Sequence, residues 1–134
     1  MSALRILRFL AASAAACCLW AQPYTWVADN GNGTFTNPLF FDEFSDPDLI
    51  RVGADFYLTG TTMHSMPGLP VLHSRDLVNW RFLSYALDRL DLGPSFRLEE
   101  GKNEYGRGIR APCLRYHNGV FYIFSNVNGQ TTQL

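Results

Sequence analysis

The 134-residue chain carries 11 basic and 12 acidic side chains, a net charge of −1, with 47% hydrophobic and 14% aromatic residues. Its length sets one domain as the ceiling, and its near-neutral charge gives no electrostatic footprint for nucleic acid or an anionic membrane surface. Of the three cysteines two are adjacent at 17 and 18, and His64, His73 and His117 stand at no ligand interval from Cys or carboxylate, so no disulfide framework, metal or cofactor is expected.

Residues 1–21 differ from the rest. Arg5 and Arg8 make a basic start, and 9–20 is an Ala-rich apolar run, too short for a membrane span. Ala21 precedes Gln22-Pro23. This is the pattern of a secretory signal peptide cleaved near Ala21, which implies a secreted or periplasmic product. Acylation at Cys17, as in a lipoprotein, is the alternative. Residues 22–36 read as a lead-in and 37–134 as the folded part. Cys113, alone in the mature chain, reads as a small buried hydrophobe.

After residue 22 no helical period is sustained. Short apolar-aromatic runs at 48–52, 55–61, 71–74, 81–86, 111–116 and 120–126 lie between turn signals such as Gly53, Pro67-Gly68 and Asn118-Gly119. This predicts an all-β chain of hairpins. Asn118-Gly119 is a strong two-residue turn, because both residues tolerate positive φ. Pro47-Asp48-Leu49 is followed nine residues on by Phe56-Tyr57-Leu58, and Pro112-Cys113-Leu114 recurs 65 residues later with Phe121-Tyr122-Ile123 at the same interval. One strand–turn–strand unit used twice suggests propeller blades. The charged stretch 88–108 between the units reads as a long solvated excursion.

Asp46 precedes Pro47 at the start of the first strand. The proline ring is expected to hold Asp46 extended, aiming its carboxylate from a strand end as a general base requires. A turn or cap aspartate is the bland alternative. The repeat puts Ala111 at the equivalent position, so the carboxylate belongs to one unit only. Asp48 competes with it, since on an extended strand the two point to the same side. Trp80 reads as an anchor packed between blades rather than a sugar platform.

The run Asp46-Pro47-Asp48-Leu49-Ile50, with Ser74, Asp76, Leu77 and Trp80 in the pattern Ser-x-Asp-Leu-x-x-Trp and the later Gly108-Ile109-Arg110-Ala111-Pro112, closely resembles glycoside hydrolase family 43, in its β-xylosidase and α-L-arabinofuranosidase branch. The resemblance implies a five-bladed β-propeller. It also implies inverting hydrolysis of xylan- or arabinan-type glycans, with a general base Asp, a general acid Glu and a second Asp that tunes the acid. Inversion leaves room for water between carboxyl groups roughly 6.5–9.5 Å apart. Asp46 matches the base. Asn126 stands where the tuning Asp is expected and carries no charge with which to raise a neighbour's pKa; a related branch shares its Asn-Val-Asn-Gly run. Arg110 replaces a Trp common in relatives, and it joins His64 and Met63 as a possible substrate contact on the pocket rim, each weighed against an ordinary loop or core role. Glu99, Glu100 and Glu104 do not match the acid, which the resemblance puts beyond Leu134.

At about 65 residues per unit, five blades need on the order of 300 residues. The chain is therefore expected to supply two blades at most, as an N-terminal piece inactive by itself, with a glycan as its partner and no membrane span. A non-catalytic glycan-binding propeller is the competing reading, favoured by Asn126.

Overall fold

The computed structural model describes residues 27–128. The signal-peptide, Cys17 and cleavage-site expectations lie outside the described residues, as does the end of the chain from residue 129. Six strands form in chain order: β1 (Ser45–Val52), β2 (Asp55–Thr61), β3 (Gly68–Ser74), β4 (Arg81–Leu87), β5 (Ile109–His117) and β6 (Val120–Val127). Strands β1 to β4 make one antiparallel sheet in sequence order, and β5 and β6 make a separate hairpin. No helix occurs among the described residues. The all-β expectation holds, with one four-stranded blade and the first half of another.

The hairpins β1–β2 and β5–β6 repeat each other residue for residue. Val52 pairs with Asp55 and His117 with Val120 across the tight turns. Asn118 and Gly119 have φ of 48° and 83°, the two positive values that a turn matched to the strand twist demands. Each first strand also carries a bulge at the same place. Asp46 and Pro47 together face Gly60, because Ser45 pairs with Thr61 and Asp48 with Thr59. Ala111 and Pro112 together face Ser125 in the same way, because Arg110 pairs with Asn126 and Cys113 with Phe124.

The bulge corrects one expectation. Asp46 is not extended: its φ is +45°, and Ala111 matches it at +50°. A proline bars the right-handed helical region at the preceding residue, but an unpaired extra residue must be absorbed, and a left-handed backbone does so within one residue. The bulge also breaks the period-two alternation, so Asp46 and Asp48 reach different partners.

The two sheets meet along β1, β2 and β5. Met63 and Ile109 exchange two backbone hydrogen bonds, N–H to O at 2.9 and 3.1 Å. That close approach explains Gly108, whose φ is +114° and where a Cβ would come within 2.3 Å of the Met63 carbonyl oxygen. The core gathers Leu69, Leu90, Phe96, Ile109 and Val127. Two of these come from the 88–108 excursion, which is therefore not simply solvated: Leu90 and Phe96 pin it into the interior.

Trp80 is half-buried at the end of the β3–β4 turn. Its indole N–H donates to the Leu77 carbonyl at 2.9 Å. The Ser-x-Asp-Leu-x-x-Trp run is a turn that binds itself between β3 and β4. Ser74 Oγ accepts from the N–H groups of Asp76 and Leu77 at 3.2 and 2.9 Å, and Asp76 Oδ1 accepts from those of Val78 and Asn79 at 2.9 and 2.7 Å. These bonds to the ionised form, with the Asn79 side-chain amide contributing most, hold the Asp76 carboxyl far below its ordinary range. Trp80 lines an open groove of about 510 Å³ beside this turn.

Candidate active site

Antiparallel pairing brings the start of β1, the end of β2, the start of β5 and the end of β6 to one end of the sheets. Asp46 lies there, solvent-exposed. Its Oδ2 accepts one hydrogen bond, from the Thr61 hydroxyl at 3.2 Å. Thr61 is 5% exposed, and its Oγ1 in turn accepts the Ala111 N–H at 3.0 Å. The Thr61 hydroxyl thus ties the two equivalent bulges together and fixes the carboxylate of one. The sequence singles out His64 and Met63 on this rim but not Thr61. The signal was present: Thr61 occupies in the first hairpin the position that Asn126 occupies in the second.

Asp48 is engaged otherwise. Its Oδ2 accepts the Leu114 N–H at 2.6 Å and an Arg115 guanidinium N–H at 2.9 Å. Charge-assisted bonds of this kind are strong, and here they join β1 to β5. The two aspartates are distinguished by their partners. Asp48 is bound across the sheets, whereas Asp46 keeps lone pairs open to solvent.

Arg110 and Asn126 are cross-strand partners, both exposed, immediately before the Ala111 bulge and opposite it. Arg110 is anchored through its carbonyl, which accepts the Ser125 hydroxyl at 2.6 Å, and its side chain lies outward. Met63 is half-buried, with its sulfur 4.0 Å from the Asn128 amide nitrogen; its backbone bridge to Ile109 makes it a joint between the sheets. His64 Nδ1 accepts the Gly106 N–H at 3.3 Å, and its ring lies 4.9 Å from that of Tyr105. The predicted residues therefore share one end of the structure, with Thr61 and Tyr105 added to them. Among the described residues, no three His, Cys, Asp or Glu side chains gather as metal ligands.

Comparison with protein-family profiles matches residues 35–133 to glycosyl hydrolases family 43. Among curated proteins, the chain is 44% identical over 101 residues to a non-reducing-end α-L-arabinofuranosidase of Bacteroides ovatus, covering 75% of this chain and 18% of that protein. It is 34% identical over 104 residues to a β-xylosidase of Formosa agariphila, covering 78% of this chain and 17% of the relative. Among solved structures, a bifunctional GH43-CE protein of Bacteroides eggerthii superposes with a TM-score of 0.65 at 46% identity, over 70% of this chain and 12% of that one. An engineered GH43 glycoside hydrolase with endo-xylanase and exo-arabinofuranosidase activity gives 0.66 at 38% identity, over 71% of this chain and 18% of that one. The chain spans less than a fifth of the length of each of these relatives.

Proposed function

The chain belongs to family 43 of the glycosyl hydrolases, and from that membership we propose that it supplies the general base of a pentose-releasing glycosidase acting on xylan- or arabinan-type glycans. The fold it contributes is part of the five-bladed β-propeller of these enzymes. The observation that carries the proposal is the contrast between two aspartates two residues apart. Asp46 is exposed and oriented by one hydroxyl, while Asp48 is consumed by the β1–β5 junction.

In this reading Asp46 takes a proton from a water molecule as the water oxygen attacks the anomeric carbon. The glycosidic bond breaks with inversion, and the leaving oxygen receives its proton from a carboxylic acid on another blade. The chain operates within a complete propeller and has no turnover by itself. Asn126, beside the site, donates and accepts hydrogen bonds without adding charge. That property also supports a second reading, a propeller that binds glycans without cleaving them.

The test is Asp46→Asn in the full-length polypeptide that carries this chain. The amide keeps shape and loses basicity, so kcat on aryl xylosides and arabinofuranosides should fall about 10²–10⁴-fold with glycan binding retained. Wild-type turnover that survives the substitution removes Asp46 from the chemistry. Wild-type binding with no turnover establishes the binding-module reading.

A further inference from the structure

Phe44 is the last residue before β1, and its ring lies against Gly60 of β2. A Cβ placed on Gly60 would stand 2.9 Å from Phe44 Cδ1 and 3.5 Å from the Phe44 Cα and Cβ. Gly60 is buried, and its backbone is not left-handed. What the glycine provides is therefore room, since a glycine inside a strand marks the close approach of another group. The Phe40 ring backs that of Phe44, with centroids 4.9 Å apart and planes tilted by 59°.

This contact lies at the root of both arms that hold the Asp46 carboxylate. Phe44 precedes Asp46 by two residues, and Gly60 directly precedes Thr61, whose hydroxyl donates to Asp46 Oδ2 at 3.2 Å. Gly60 also stands opposite the bulge itself. A left-handed φ on a non-glycine residue, +45° at Asp46, persists only where its surroundings hold it. The second unit meets the same need with other residues. At the positions equivalent to Phe44 and Gly60 it has Ile109 and Ser125, 0% and 3% exposed, and the Ser125 hydroxyl donates to the Arg110 carbonyl at 2.6 Å. A large side chain over a glycine in one unit becomes a smaller one with a serine in the other, as close packing requires. The carboxylate and the phenylalanine–glycine pair thus occur together in the first unit. We propose that the Phe44 ring seated on Gly60 fixes the Asp46 carboxylate on the Thr61 hydroxyl, which makes Phe44 and Gly60 positioning residues for the general base. The role in catalysis rests on the glycosidase reading of Asp46.

The experiment is a double-mutant cycle in the full-length polypeptide: Gly60→Ser, Phe44→Ile and the two combined, which transplants the pair of the second unit. Gly60→Ser should lower kcat on an aryl pentoside about 10–100-fold and leave KM within about twofold of wild type. Phe44→Ile should also lower kcat. The combined variant should turn over faster than either single one, because the smaller side chain makes room for the added Cβ. Wild-type kcat in both single variants, a rise in KM that matches the fall in kcat, or a combined variant no faster than the singles overturns the proposal. Should Gly60→Ser fail to fold, Phe44→Ile against the combined variant decides by the same criterion. Crystal structures of the folded variants test the placement without reference to turnover. The Asp46–Thr61 hydrogen bond should be broken in the single variants and restored in the combined one, and a bond intact throughout refutes the placement. If that bond breaks and re-forms as expected while Asp46→Asn keeps wild-type turnover, the base reading falls and the placement of the carboxylate stands.

Discussion

Thr61→Val isolates the hydroxyl that joins the two bulges. Valine keeps the branched shape of a side chain that is only 5% exposed, so no cavity opens. Two hydrogen bonds disappear, one to Asp46 at 3.2 Å and one from the Ala111 N–H at 3.0 Å. Asp46 is exposed and water replaces its donor, so that bond adds little stability. The Ala111 N–H loses its acceptor against a methyl group, which costs about 1–2 kcal/mol at the exposed end of the usual range. A propeller of about 300 residues loses only about 1–2 °C in melting temperature per kcal/mol. The effect on rate should exceed the effect on stability, because a carboxylate released from its orienting donor samples other rotamers; a positional loss of this kind costs about 10–100-fold in kcat. Circular-dichroism melting and aryl-glycoside turnover of the full-length polypeptide measure both, with Thr61→Ser as the control that restores the hydroxyl. If Thr61→Val matches wild type in melting and turnover, the hydroxyl bridge has no role. If Thr61→Ser, which keeps the hydroxyl, is as damaged as Thr61→Val, the hydroxyl bridge does not account for the loss.

Asp48→Ala removes the acceptor of the Leu114 N–H and of Arg115, and should destabilise by about 1.5–3 kcal/mol in a denaturant titration, whereas Asp46→Asn should leave the midpoint near wild type. Gly108→Ala forces a Cβ to within 2.3 Å of the Met63 oxygen at a φ of +114°; the resulting separation of the Met63–Ile109 bridge should cost several kcal/mol, about 3 or more, seen as a large fall in melting temperature. Asp76 has its pKa lowered from 3.8 by the Asn79 and Val78 donors, and Asp55 is lowered by His73 and Arg75. A depressed carboxyl stabilises the fold fully above its unfolded value and loses that contribution as pH falls through the folded one, so melting temperature should drop below about pH 3.8, and less steeply in Asp76→Ala.

The strands were legible because their signals are local. Alternating apolar and aromatic residues between Gly, Pro and Asn turns set β1 to β6 within a few residues, and Asn118-Gly119 specified its own turn geometry. The repeat was legible because both hairpins keep the same spacing, including a bulge that neither shows as a sequence gap. The left-handed Asp46 was not legible. A proline restricts its predecessor in isolation, but the bulge is a property of the pairing between β1 and β2. Leu90 and Phe96 were hidden by the charges around them, since Leu90, Leu92, Phe96 and Leu98 are interspersed with charged residues, interrupted by Gly93-Pro94, and sustain no period. The His64–Tyr105 contact joins residues 41 apart across two loops, which no local pattern encodes.

The two bulges also bear on what Asp46 is for. A left-handed φ on a non-glycine residue is costly, and aspartate is among the side chains that tolerate it. Taken alone, the strain at Asp46 would explain the aspartate without any chemistry. Ala111 removes that explanation. It holds nearly the same φ, before the same proline, opposite the same position of its hairpin, with a methyl group. The backbone therefore does not require a carboxylate at this place in either unit. What distinguishes the first unit is what lies around the position: Thr61 offers a hydroxyl to the carboxylate, while the hydrogen on the Ala111 nitrogen is spent on the same oxygen. The strained turn is a common part of the blade, and the carboxylate is an addition to one copy of it, exposed at the end of the sheets that also carries Arg110 and Asn126.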